Sequence, residues 1–196
     1  MIINNMSFSI VVARYNENVE WTKQFQNVII YNKGEKLNDN YNELFLNNVG
    51  REGHTYYKHI CDNYENLSDY TIFLQGNPFD HSPNIISNIN KYINDEELNI
   101  DFEFLSERVD DHTLGHWVRL VGQCRYIVKT WERIFDTTTD NNQECIFGLG
   151  AQFIVSKDTI LKRPKEFYEN IVSILEYSVN PDEGHDVERL HKYIFN

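Results

Sequence analysis

Cysteine, alanine, proline and positive charge are all scarce in this chain, and each shortage excludes something. Three cysteines in 196 residues, Cys61, Cys124 and Cys145, are odd in number and widely spaced, which excludes a disulfide framework and any cysteine-rich metal module. Met1 to Asn5 carry neither the basic stretch nor the apolar run of a signal peptide, and no segment approaches the ~20 apolar residues of a membrane span. The expectation is a reduced, cytoplasmic protein with no membrane span. Lys and Arg number 18 against 30 Asp and Glu, a formal net charge of −12, which argues against nucleic acid or an anionic membrane as partner. A phosphorylated small molecule stays open, because a few local cations suffice for it. There is no P-loop and no Gly-x-Ser-x-Gly elbow, and no cysteine stands in a nucleophile pattern. Alanine occurs only at Ala13 and Ala151, while Asn and Ile are abundant; this fits an AT-rich genome and says nothing of chemistry.

What is present is globular. A hydrophobic content of 41% with 14% aromatics suits one folded domain over residues 1–196. Phe8 to Ala13, Val28 to Tyr31, Thr71 to Leu74 and Ala151 to Val155 are short, continuous apolar runs of the kind that fill buried strands. Phe102 to Leu105 reads as a short edge strand. Between them, Val19, Trp21 and Phe25 suit a short helix, His54 to Tyr64 a longer one, and Ser82 to Ile93 a helix with a Ser-Pro start. Ser156 is expected to cap a helix running past Pro164 towards Leu175, and Asp186 to Phe195 a terminal helix. Glu35 to Asn48 reads as mostly loop, and part of Gly122 to Phe135 as strand or helix. Strands alternating with helices predict an α/β fold: a mixed, mostly parallel sheet with helices on both faces, the first three strands being parallel neighbours.

In such sheets ligands bind beyond the carboxyl ends of the strands, so the residues that follow each run carry the chemistry. After the first run come Ala13, Arg14, Asn16 and Glu17, where a backbone turn with an amide and a carboxylate can bond a uracil, a guanine or a ribose. Gly50 and Gly53 bracket Arg51 and Glu52 just before a helix, a ready anion site. After the third run come Gln75, Asn77, Asp80 and His81, broken out of extended structure by Gly76 and Pro78. His112 and His116 stand four apart, beside Asp110 and Asp111, and could share a helix face as metal ligands. Each block also has an ordinary reading as a turn, helix start or surface ion pair.

Taken together, the blocks Val12-Ala13-Arg14-Tyr15-Asn16-Glu17, Asn48-Val49-Gly50-Arg51-Glu52-Gly53-His54, Phe73-Leu74-Gln75-Gly76-Asn77-Pro78-Phe79-Asp80-His81, Gly150-Ala151-Gln152-Phe153 and Glu188-Arg189-Leu190-His191 resemble an uncharacterised domain family related to GT-A-fold glycosyltransferases that use nucleotide sugars. The resemblance implies sugar transfer from a nucleotide-sugar donor to a glycan or protein acceptor, with Asn16-Glu17 and Gly50-Arg51-Glu52 near the nucleotide. The Asp-x-Asp metal motif of such folds is replaced here by Gln75-Gly76-Asn77, and the nearest carboxylate is Asp80. If a divalent ion (Mn²⁺ or Mg²⁺) is used, Asp80, His81 and His185 are its candidate ligands. Arg14 and Arg51 are the candidate cations for the leaving diphosphate, and Asp110, Asp111 and His185 the candidate bases. Two other readings remain: a GT-A-like binding module without catalysis, and a metal-dependent hydrolase built on Asp80, His81, His112 and His116.

Overall fold

The computed structural model describes residues 6–38, 40–120 and 124–196. Met1 to Asn5, read above for a signal peptide, and Gly122, in the unassigned segment, lie outside the described residues. Among the described residues eight strands are present in chain order: β1 (Phe8–Arg14), β2 (Val28–Asn32), β3 (Glu43–Phe45), β4 (Tyr70–Gln75), β5 (Phe102–Phe104), β6 (Val109–Thr113), β7 (Glu144–Gly148) and β8 (Phe153–Ser156). Seven α-helices accompany them among the same residues: α1 (Arg51–Asn63), α2 (Ile85–Ile93), α3 (Leu114–Leu120), α4 (Ile127–Phe135), α5 (Lys157–Leu161), α6 (Lys165–Leu175) and α7 (Glu183–Ile194).

Six strands form one sheet in the order β3-β2-β1-β4-β8-β5, and β6 with β7 makes a separate antiparallel ribbon. β1 is central: Val11 lies between Ile29 of β2 and Phe73 of β4, both parallel to it. This is the expected neighbourhood of the first three apolar runs. β8 is the reversed strand, antiparallel to both β4 and β5. Alternation along each strand divides the core in two. Val11, Phe73, Phe153 and Val155 face α1, α6 and α7, whose Tyr56, Tyr57, Tyr168, Ile171 and Leu190 are buried against them. Ile10, Val12, Ile72 and Leu74 face the other way, onto Val19, Trp21 and Phe25 around a 3-10 turn at Glu20–Gln24 and onto Ile85 and Ile89 of α2. The chain end is in the core as well: Phe195 is 2% exposed, with its ring 6.2 Å from those of Tyr57 and Tyr168.

Two expectations are corrected, and two short strands are added. Glu35 to Asn48 contains β3, a three-residue edge strand that lies half-exposed and so lacks an apolar signature. β7 is likewise unread in the sequence. Ser82 is no helix cap; its hydroxyl donates to the Leu105 carbonyl at 2.7 Å, and α2 begins three residues later. Ser156 does cap a helix, its Oγ accepting from the Thr159 N–H, but that helix is α5 alone. Pro164, extended at φ −68° and ψ 158°, ends the run and starts α6, since proline cannot continue a helix from within.

All three cysteines are free and buried, and burial pushes their thiols up, to about 11 for Cys61 and about 12 for Cys124 and Cys145. None is a thiolate at neutral pH. Among the described residues no helix is long and apolar enough to cross a membrane.

Burial also holds three imidazoles, those of His54, His59 and His191, at about 4 against an ordinary 6.5. His59 Nδ1 meets the Tyr31 hydroxyl at 3.1 Å and His191 Nδ1 meets that of Tyr57 at 2.6 Å. Below pH 6.5 the unfolded chain takes up protons that these folded sites refuse. Their contribution to stability is therefore complete above pH 6.5 and is lost as pH falls towards 4. Asp186, raised by burial to about 6, keeps its proton longer in the fold and offsets part of that loss below pH 6. Urea unfolding is expected to give a free energy lower by roughly 1 kcal/mol or more at pH 5 than at pH 7. A flat or rising profile across that interval would show that the three histidines are not neutral in the core.

Candidate functional site

The carboxyl ends of β1 and β4 are cross-tied, and the tie shapes the site. The Gly76 N–H donates to the Ala13 carbonyl at 2.8 Å, and Trp21 Nε1 donates to the Gly76 carbonyl at 3.0 Å. After β1 the chain reverses through Asn16, whose φ of 68° is in the left-handed region that asparagine tolerates. Asn16 Oδ1 then accepts from the Glu35 N–H at 2.7 Å, joining the exits of β1 and β2. Glu17 folds back so that its Oε2 takes the Tyr15 N–H at 2.5 Å. A Cβ on Gly76 would sit 2.6 Å from that same oxygen, so any larger residue there would push the Glu17 side chain out of its present place.

A cavity of about 660 Å³ opens over these ends. From the β1 exit it takes Ala13, Arg14, Tyr15 and Glu17, from the β2 exit Lys33, and from the start of α1 Arg51 and Glu52. The β4 exit adds Gln75, Asn77 and Asp80, and Asn48, Val179 and Asn180 complete the wall. Three separate sequence blocks are thus brought to one place. Asn16 and Gly50 stand behind the wall as shaping residues. Arg14 is more structural than expected: Nε donates to the Glu17 carbonyl, and Nη1 to Asn32 Oδ1 and the Glu35 carbonyl, all at 2.7 to 2.9 Å. Its guanidinium pins the two turns together.

Lys33 is the cation that the sequence reading passed over. Its Nζ donates to the carbonyls of Val49 at 2.6 Å and Arg51 at 2.5 Å. An ammonium has three N–H donors, so one remains for the cavity. Burial lowers it to about 8, with Glu52 opposing the shift. A lysine between Asn32 and Gly34 gives no sequence signal beyond that of a polar turn.

Arg51 leads into a second cavity of about 330 Å³, which shares Arg51 and Asn180 with the first and adds Arg125, Tyr126, Asp182 and His185. Arg51 Nη1 donates to His185 Nε2 at 3.1 Å, so the ring proton of His185 is on Nδ1, which faces Glu188 Oε2 at 3.6 Å. Glu188 Oε1 accepts the Gly150 N–H at 3.1 Å. Arg51 Nε also stands 3.7 Å from Glu52. The side chains of Glu52 and Glu188 are only 11% and 12% exposed, so both carboxyls are largely out of water. They answer oppositely. Burial raises Glu52, reinforced by Glu188 and opposed by Arg51, whereas for Glu188 burial is outweighed by His185 and Arg189 and the carboxyl is held below its usual range. Glu188 is the ionised member and Glu52 the readier proton carrier.

The remaining candidates are dispersed. His81 is turned towards Gly150, where an added Cβ would lie 2.4 Å from its ring, and it lines neither cavity. Asp80, His81 and His185 therefore do not form one coordination set, and among the described residues no three His, Cys, Asp or Glu side chains gather as a metal site would require. Asp80 faces the cavity, with Asn77 Nδ2 donating to it at 3.1 Å. Asp110 and Asp111 belong to the β6–β7 ribbon, where Arg108 Nε donates to Asp110 at 2.8 Å, and they line neither cavity. His112 and His116 stack on each other at 3.7 Å, away from Asp80 and His81. The constellation needed for the hydrolase is not assembled.

Gly50 shows why a site residue can be demanded by backbone rather than by ligand. Its φ is 64°, and a Cβ there would lie 2.5 Å from that of His54 and 2.9 Å from the Leu175 carbonyl oxygen. Gly50→Ala is expected to cost about 2 kcal/mol or more, combining left-handed strain with a backbone clash. Urea midpoints of the variant and parent measure this; equal midpoints would remove the backbone role assigned to Gly50.

Comparison with curated proteins and with solved structures gives no match. A family model described as "Protein of unknown function (DUF3431)" matches residues 10–196, from the second residue pair of β1 through the whole of α7. With nearly all of its length matched, the chain belongs to the DUF3431 family.

Proposed function

We propose that the protein is a glycosyltransferase whose larger cavity takes a nucleotide-sugar donor. The observation that carries this reading is the gathering of Lys33 and Arg51 over the carboxyl ends of parallel strands, in a cavity of about 660 Å³, by a chain with a net charge of −12. Glu17, Glu52 and Asp80 share the lining with Arg14, Lys33 and Arg51, so the cleft is locally balanced in a chain that is acidic overall, and Lys33 and Arg51 are the cations that would meet an anionic ligand there. The strand order β3-β2-β1-β4-β8-β5, with β8 alone reversed, supports the resemblance to GT-A domains. Tyr15, 54% exposed at the rim, offers a ring face to a base.

In an inverting transfer the acceptor oxygen attacks the anomeric carbon and the bond from that carbon to the diphosphate breaks. The electron pair leaves with the nucleoside diphosphate, whose growing charge meets Lys33 and Arg51. The acceptor hydroxyl proton goes to His185 Nε2, with Glu188 orienting the ring through Nδ1. An anion drawing Arg51 to itself would release Nε2 for that task. The predicted ligands Asp80, His81 and His185 are not suited to holding a divalent ion together, so the two cations carry the charge in this scheme.

Calorimetry with UDP and GDP, with and without Mn²⁺, tests the reading. At least one nucleotide is expected to bind, and Lys33→Met and Arg51→Gln each to weaken it about tenfold or more, as loss of a charge-assisted contact would. Because Lys33 titrates at about 8, affinity is expected to fall between pH 7 and pH 9 as the ammonium is lost, and Lys33→Met to flatten that fall. Failure of both nucleotides under every condition would overturn the donor site. Binding without transfer would leave the protein a nucleotide-sugar-binding module.

A further inference from the structure

The cavity at the start of α7 has a chemistry of its own. It holds about 330 Å³, at the lower end of the range of ligand pockets and roomy enough for a monosaccharide with a charged substituent. Its wall carries two guanidiniums, Arg51 and Arg125, and the imidazole of His185. Lys129 lies outside the lining, its Nζ 5.8 Å from the centre of the Tyr126 ring. Asp182 is the one carboxylate among the lining residues. The first turn of α7, a helix of 12 residues, directs the positive end of its dipole at the same place. Tyr126 is 46% exposed, an aromatic face of the kind on which a sugar ring can rest.

Position matters as much as charge. Arg51 and Asn180 belong to both cavities, so a ligand here would touch the one in the larger cavity at Arg51. His185, the base of the reading above, is in this smaller cavity and not in the larger one. A hydroxyl delivered from here reaches the base and the donor together.

We propose that this cavity is the acceptor subsite and that it selects an anionic acceptor, a sugar bearing a phosphate or a carboxylate. The acceptor role rests on the donor reading; the preference for an anionic sugar stands on the cavity alone. Two guanidiniums and an imidazole stand against the single carboxylate of Asp182 in the lining, which favours a ligand that brings negative charge over a neutral one. The anion engages Arg125 and Arg51, and the ring lies on Tyr126.

The test uses glucose 6-phosphate, glucuronate, glucose and inorganic phosphate against the intact protein by calorimetry, with Arg125→Gln, Tyr126→Ser and Tyr15→Ser, Tyr15 being an exposed residue that lines the larger cavity alone. Arg125 and Tyr126 are exposed, so their variants are expected to fold, which circular dichroism checks. One charged sugar at least is expected to bind about tenfold or more tightly than glucose, and the better of the two identifies the anion. Arg125→Gln should weaken it about tenfold while leaving UDP or GDP unchanged, and Tyr126→Ser should weaken it further than it weakens phosphate. Tyr15→Ser should do the reverse, weakening the nucleotide alone. The proposal is overturned if charged sugars bind no better than glucose, if Arg125→Gln leaves them unchanged, or if Tyr15→Ser weakens sugar and nucleotide alike. If charged sugars bind through Arg125 but neither nucleotide binds at all, the donor reading fails and the anionic-sugar site stands without its acceptor role.

Discussion

The ammonium of Lys33 is the point on which the site depends. Taking a lysine out of water is costly unless its donors are met. Here the carbonyls of Val49 and Arg51 meet two of them, and these carbonyls belong to the turn that launches α1. The exit of β2 is thereby clamped to the start of α1. That clamp holds Arg51 at the unusual φ of 51° and directs its side chain along the boundary between two cavities. Behind it, Gly50 donates its N–H to the Ser178 carbonyl at 2.8 Å, which binds the same turn to the segment leading into α7. One half-buried charge thus ties the exit of β2 to the turn that launches α1, and Gly50 ties that turn to the segment before α7.

The α7 helix shows how economically the fold is divided. Its inward face belongs to the core: Val187, Leu190 and Ile194 are buried among the aromatic rings of α1 and α6. Asp186 accepts from the Thr130 hydroxyl at 2.6 Å. Arg189 lies 5.1 Å from the ring centre of Trp117 and 4.8 Å from that of Phe147, a cation held between two aromatic faces rather than in water. One turn away, His185 and Glu188 face the site. The orientation of the imidazole is therefore set by the packing of the helix that carries it.

The strongest elements were plain in the sequence because their physics is local. Phe8 to Ala13, Val28 to Tyr31 and Thr71 to Leu74 are apolar on both faces, and only a strand covered on both sides has that pattern. Arg51, Gln75, Asn77 and Asp80 could be placed together because each follows such a strand or opens a helix. The unread parts depend on distant partners. β3 has three residues and a half-exposed edge, so its pairing with β2 leaves no periodic trace. β6 runs Val-Asp-Asp-His-Thr, and its acidic residues read as loop until β7 supplies the matching ladder. Lys33 looked like one more surface lysine, since its two acceptors come from backbone 16 and 18 residues further on. Likewise His185 was placed among the bases while its partner Arg51, 134 residues away, could not be seen.

Phe195 carries a further consequence, for the order in which the protein is made. Its ring belongs to the cluster that joins Tyr57, Tyr168 and Phe153, and it is almost fully enclosed. The helical face of the sheet thus lacks one of its central rings until residue 195 has left the ribosome. β1, β2 and β4 emerge early and can pair, and α1 emerges with them, but α6 and α7 of the same covering layer come more than 80 residues later. During synthesis the nascent sheet must wait with an uncovered apolar surface, a state that invites chaperones or wrong partners.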